Sequence, residues 1–119
     1  MHNFKELRIW SESKRFCATI YEIVSKFPKS EEFGLSLQMR RAVISIPSNI
    51  AEGSGRNSNK DFSKFIDYAI GSSYELETQL LISLDLEFIS ENELNPIFNE
   101  LVVIQKMLNK FKIHLKEKS

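Results

Sequence analysis

Residues 37–53 read LQMRRAVISIPSNIAEG, and the spacing of apolar residues in this stretch indicates a helix. On a helical wheel its polar side chains, apart from Arg40, fall within one arc of about 100°. They are Gln38, Arg41, Ser45, Ser48, Asn49 and Glu52. More than half of the circumference is apolar, which is wider than the stripe a helix needs to pack against one core. The apolar residues are Leu37, Met39, Ala42, Val43, Ile44, Ile46, Ile50 and Ala51. The pattern therefore predicts a helix that is covered on two sides.

The proline and the glycines of this stretch predict its bend and its end. Pro47 lacks the amide hydrogen that would bond to the carbonyl of Val43, so a kink is expected near that turn. Gly53 is expected to stop the helix, and Gly55 to help turn the chain toward Ser58.

Three segments besides residues 37–53 have helical periodicity, and residues 37–53 belong to the second of the four predicted helices. The first spans residues 10–27 and is expected to end at Pro28, and the second is expected to begin at Ser30. The third begins at Ser58 with a capping-box pattern and reaches residue 84. The fourth begins either at Ser90, with a second capping box, or with Asn95 as its cap. Four amphipathic helices with short connections predict an all-α fold, an antiparallel up-and-down four-helix bundle that forms one domain over residues 1–119.

Composition excludes several classes of protein. The 119 residues include 16 basic and 16 acidic side chains, so no global field favours nucleic acid or membrane. Charge is nevertheless uneven, with a net charge of +3 over residues 1–30 and −5 over residues 61–90. Cys17 is the only cysteine, which excludes an intrachain disulfide. With no signal-peptide pattern and no membrane span, the sequence predicts a cytoplasmic protein.

No constellation of catalytic or cofactor-binding residues is evident. A di-metal bundle site needs Glu-x-x-His pairs, and the only histidines are His2 and His114, at opposite ends of the sequence. Residues 52–60, EGSGRNSNK, lack the ending of a phosphate-binding loop, so a connecting turn is favoured over an anion site at Arg56 and Lys60. We therefore expect no enzyme activity, cofactor, metal or small-molecule substrate.

The polar arc of the second helix is the one candidate functional cluster. It is either a solvated face or a hydrogen-bonded network at a helix or subunit interface, and short Ser and Asn side chains favour the network. The interface residues predicted on this basis are Gln38, Arg41, Ser45, Pro47, Asn49, Glu52 and Glu75. Gly71, among small neighbours on the third helix, predicts a close approach by another backbone.

Two long motifs carry a family resemblance. Residues 33–56, FGLSLQMRRAVISIPSNIAEGSGR, and residues 58–80, SNKDFSKFIDYAIGSSYELETQL, resemble the four-helix bundle proteins encoded in intervening sequences of bacterial 23S ribosomal RNA genes. The resemblance implies an antiparallel bundle that assembles as a ring-like homopentamer, with no established enzymatic activity.

Two functions remain open at this stage. The first is a non-enzymatic homopentameric scaffold or adaptor. The alternative is an RNA-binding or nucleic-acid-binding accessory linked to rRNA processing, which would use Arg40, Arg41, Arg56 and Lys60 or the lysines of the fourth helix. A relative, the accessory protein of diversity-generating retroelements, binds nucleic acid through a strongly basic surface, whereas this sequence has zero net charge.

Overall fold

A computed structural model describes residues 2–118 and contains four α-helices in this range, with no strand. Helix α1 spans Arg8–Val24, α2 spans Leu35–Ser54, α3 spans Asn59–Asp85 and α4 spans Glu91–Lys118. Short 3-10 helices, Phe4–Glu6 and Lys29–Glu31, precede α1 and α2. Short connections join each helix to the next, and helices that are neighbours in the bundle pack together. The predicted all-α four-helix fold is confirmed.

The core is formed by the apolar stripes of all four helices. Its largest fully buried side chains are Phe16, Ile20, Met39, Ile46, Ile50, Phe62, Ile66, Leu76, Leu80, Leu101, Leu108 and Leu115. Each stripe recurs at steps of three and four residues, so each helix turns one face inward.

The first connection differs from the prediction. Helix α1 ends at Val24, four residues before Pro28, and Ser30 lies in a 3-10 turn and does not cap α2. Helix α2 begins at Leu35, whose amide donates to Glu31 Oε1 at 3.3 Å. The acidic side chain thus reaches the start of the helix from outside it, where a carboxylate favours the positive end of the helix dipole.

Both predicted capping boxes mark true helix starts. Ser58 caps α3, since its hydroxyl accepts a hydrogen bond from the amide of Asp61 at 3.1 Å. At α4, the Ser90 amide donates to Glu93 Oε1 and the Glu93 amide donates to Ser90 Oγ. The bonds that the Ser90 amide and hydroxyl donate to the carboxylate lower the pKa of Glu93. The alternative start at Asn95 is wrong, because α4 already begins at Glu91 and contains Pro96.

Gly55 lies at the C-cap of α2, in the predicted turn, whereas Gly53 and Gly71 do not have the roles predicted for them. Gly53 lies inside α2 and does not end it, and a Cβ there would lie 2.6 Å from Phe65 Cβ and 2.8 Å from Phe62 Cδ1. It is therefore the residue that allows α2 and α3 to approach closely. A Cβ at Gly71 would meet nothing within 4 Å, so the close approach predicted there is wrong within one chain.

The two glycines provide a matched pair of substitutions. Gly53→Ala should destabilise the protein by about 1–3 kcal/mol, because the new methyl group overlaps aromatic side chains. Gly71→Ala should stabilise it by up to about 1 kcal/mol, because alanine is the better helix former. Urea denaturation at one fixed protein concentration measures both. A Gly53→Ala variant as stable as the parent would contradict the close approach.

Candidate functional site

Helix α2 lies between α1 and α3, and its outer surface belongs to two faces of the bundle. Toward α1, the Cys17 thiol donates to the backbone oxygen of Val43 at 3.5 Å. Toward α3, the hydroxyls of Ser45 and Ser72 are 2.7 Å apart. Residues that point outward from α2 therefore contribute to an α1/α2 face or to an α2/α3 face.

An exposed apolar stripe occupies the α1/α2 face. Leu37, Ile44 and Ala51 are seven residues apart and lie on one side of the helix. Ile44 is 43% exposed, and the other two are half-buried. Tyr21 of α1 is 41% exposed and lies on the same face by its helical spacing from Cys17. We call these four residues the α1/α2 patch.

The rest of the apolar arc of α2 is covered by the chain itself. Its remaining members are Met39, Ala42, Val43, Ile46 and Ile50, none more than 2% exposed. Pro47, which was predicted for an interface, is also buried within the chain and adds nothing to the outer surface of α2. The apolar surface of α2 that lies outside the core is therefore narrower than the sequence indicates. It consists of Leu37, Ile44 and Ala51.

The polar arc of α2 lies on the α2/α3 face. Gln38, Arg41 and Glu52 are exposed, as is Ser48, whereas Ser45 and Asn49 are half-buried. The Asn49 side-chain amide donates to both the backbone oxygen and the hydroxyl of Ser45, at 2.8 and 2.9 Å. With the Ser45–Ser72 contact, these bonds form a small polar cluster where α2 packs against α3, which we call the seam.

The predicted buried network is not formed within one chain. Arg41 and Glu75 are both exposed, and among residues 2–118 neither makes an ion pair within 4 Å. Glu52 pairs instead with Arg56, one turn further along the chain, at 3.2 Å. At the centre of the polar arc, Ser45 reaches α3 because Ser72 lies opposite it. The flanking positions of the arc, Gln38, Arg41 and Glu52, remain open to solvent.

The residues predicted for nucleic-acid contact do not form one cluster. Arg40 donates to the backbone oxygen of Glu32 at 3.1 Å, near the start of α2. Arg56 lies 4.5 Å from the ring centroid of Phe65, and Lys60 lies in the first turn of α3. Arg56 and Lys60 therefore share one end of the bundle, and Arg40 lies toward the opposite end.

Charge is segregated between the two ends of the bundle. One half comprises the start of α1, the end of α2, the start of α3 and the end of α4, which are residues 2–16, 47–72 and 105–118. It carries twelve basic and six acidic side chains, a net charge of +6. The other half, residues 17–46 and 73–104, carries four basic and ten acidic side chains, a net charge of −6. Sequence reasoning missed this polarity because it counted charge along the chain and did not apply the predicted topology.

A lysine-lined groove lies at the cationic end, between the start of α3 and the end of α4. It encloses about 460 Å³, and its lining includes Lys60, Lys64, Lys112 and Lys116. Lys112 Nζ pairs with Asp67 Oδ1 at 2.6 Å, and Lys64 Nζ lies 3.8 Å from Asp61 Oδ1. We call Lys60, Lys64, Lys112 and Lys116 the lysine groove.

Cysteine and histidine are side chains that often act in catalysis. Burial raises the pKa of the Cys17 thiol, which keeps it protonated. His2 and His114 do share one end of the bundle near Phe111, with ring centroids 6.2 and 6.0 Å from that of the phenyl ring. Across the described part of the chain, no group of three His, Cys, Asp or Glu residues could hold a metal ion. Within the same residues, every helix is too short or too polar to cross a bilayer.

Comparisons with known proteins agree with the architecture. A solved structure from Bacteroides thetaiotaomicron, described as a protein with unknown function from the S23 ribosomal protein family, is similar to this chain with a TM-score of 0.78. It is 26% identical, and the similarity covers 87% of this chain and 97% of that one. A search of curated proteins finds no match. The family model of the 23S rRNA-intervening sequence protein matches residues 5–110, and this chain therefore belongs to that family.

Proposed function

We propose that this protein is a non-enzymatic cytoplasmic component that assembles as a homopentamer and serves as a scaffold or adaptor. The observation that carries the proposal is the α1/α2 patch, with the apolar side chain of Ile44 43% exposed in the middle of α2. An exposed apolar stripe on a helix favours burial against a partner. The number of copies rests on the resemblance to ring-like homopentamers of the family.

The arrangement of outer faces suits a closed ring. A ring with an odd number of copies needs two different contact surfaces on each copy, a heterologous interface. If the two contact surfaces lie on adjacent faces of the bundle, each copy is rotated relative to the previous one and the series can close into a ring. If they lie on opposite faces, the copies extend as a filament. The α1/α2 and α2/α3 faces are adjacent and share α2. On the second of these faces, Tyr68 is 57% exposed, Ile82 is 42% exposed and Leu86 is 52% exposed.

The exposed charges on α2 and α3 also fit an interface. Arg41 and Glu75 lack ion-pair partners among residues 2–118 and lie on the shared α2/α3 face. In an assembly they would meet polar groups of a neighbouring copy and fix its register, since opposite charges across an interface select orientation more than they add affinity. The interface role predicted for the polar arc from the sequence is retained in this form.

A non-enzymatic role is supported by the state of the only cysteine. The Cys17 Sγ atom lies 3.5 Å from the backbone oxygens of Ser13 and Val43 and is half-buried between α1 and α2. A protonated thiol held against carbonyl oxygens is a poor nucleophile, because the thiolate is the reactive form. Cys17 is therefore a packing residue in this proposal.

The assembly is tested by light scattering coupled to gel filtration, which measures molar mass directly. The parent should have five times the 13.8 kDa mass of the chain. Ile44→Glu should shift the protein toward the monomer, because a carboxylate would be buried in the interface without a partner. Ile113→Glu is the matched control, since Ile113 is 58% exposed but lies on α4, away from the patch. A parent that elutes as a monomer at micromolar concentration would refute the proposal.

The second candidate function is an RNA-binding accessory linked to rRNA processing. The observation that favours it is the net charge of +6 on one half of the bundle, which gives the protein a local field despite its neutral total. Several copies side by side would strengthen weak individual contacts through avidity.

Filter binding with ribosomal RNA fragments tests this candidate. The protein should retain the fragments at low salt, and retention should fall steeply between about 50 and 200 mM salt, because bound phosphates release counterions. Retention that does not change with salt would argue against electrostatic recognition, and no retention at any salt would reject the candidate.

A further inference from the structure

We propose that the lysine groove binds the phosphate groups of a nucleic-acid backbone. The inference rests on the second candidate function and gives it a site and a ligand chemistry. It does not depend on the number of copies in the assembly.

The groove has two cationic walls that run along the helix axes. Lys60 and Lys64 are four residues apart on α3, and Lys112 and Lys116 are four residues apart on α4. Residues at this spacing lie on one side of a helix and are separated by about 6 Å along its axis. The Lys112–Asp67 ion pair joins the two walls, and all four lysines line one open groove.

Lys60 is not explained by helix stability. It is the second residue of α3, where the positive end of the helix dipole disfavours a cation. Asp61, the next residue, is the type of side chain that this position favours. A residue that opposes the local preference is more readily explained by a ligand than by the fold.

Two of the groove lysines pair with aspartates, of which Asp67 lines the groove. Asp61 and Asp67 pair with Lys64 and Lys112, and each of these four side chains is at least 41% exposed. Exposed ion pairs of this kind contribute little, so a phosphate can replace the aspartate as the partner of either lysine. The half of the bundle that contains the groove carries a net charge of +6, so the groove lies in a cationic environment.

The groove matches an extended chain of phosphates better than a single small anion. Its walls carry ammonium point charges in two rows and no arginine fork, which is the group that grips one phosphate in a bidentate manner. Such contacts position a strand but do not distinguish bases, so binding should be independent of sequence. The net charge of +6 around the groove draws a polyanion to this end of the bundle.

Fluorescence anisotropy with a labelled single-stranded RNA of mixed sequence, measured over a series of salt concentrations, tests the site. A DNA strand of the same sequence provides a second arm. The test variant carries Lys60→Ala and Lys116→Ala, one substitution in each wall. The matched control carries Lys26→Ala and Lys29→Ala, which removes the same charge from exposed positions at the acidic end.

The slope of log affinity against log salt should become shallower by about 1.4 in the groove variant, since each lost contact to a single strand changes it by about 0.7. The control variant should keep the slope of the parent. Thermal unfolding should show that the groove variant is folded at the temperature of the binding assay, so that lost binding reflects the groove and not the fold.

The outcomes separate the site from the candidate function. Equal losses in both double variants would overturn the groove as the site and leave the RNA-binding candidate standing. A parent that binds neither RNA nor DNA at low salt would overturn both. A parent that binds phosphatidylserine vesicles through these lysines, but neither nucleic acid, would overturn the assignment of the ligand.

Discussion

The packing of α2 against α3 is the contact on which the rest of the bundle depends. Three points along the seam fix it. Gly53 admits Phe62 and Phe65 near one end, the Ser45 and Ser72 hydroxyls meet in the middle, and the Ser83 hydroxyl donates to the Met39 sulfur near the other end, at 3.5 Å. These contacts set the rotation of α2 about its axis. That rotation determines which of its apolar residues enter the core and which are left outside on the α1/α2 face.

The fold was largely predictable because its signals are local. Periodic apolar residues and two capping boxes are properties of consecutive residues, and they placed the starts of α3 and α4 correctly. The start of α2 was missed because a 3-10 turn and Gly34 separate Ser30 from the helix. The glycines were misassigned because the space around a Cβ depends on which side chains the neighbouring helix places there, and periodicity identifies a face without identifying its neighbour.

The candidate sites were less predictable for a related reason. The wheel placed Gln38, Arg41 and Glu52 on one arc, but it could not show that α3 offers only Ser72 opposite the centre of that arc. The two charged ends were missed because their residues come from four separate segments of the chain. Residues 105–118, for example, join residues 59–72 only after α3 and α4 have packed in opposite directions. Burial of Ile46 and Pro47 was likewise a property of the assembled bundle.

The separation of charge has a geometric consequence for any cyclic arrangement of this chain. Rotation about a single symmetry axis carries each copy onto the next without inverting it. Copies whose helices lie parallel to that axis therefore present equivalent ends in the same direction. The result is a disc with one electropositive and one electronegative surface, although each molecule within it is neutral. Such a disc has two different sides. An acidic template would bind the electropositive side and leave the electronegative side facing away from it.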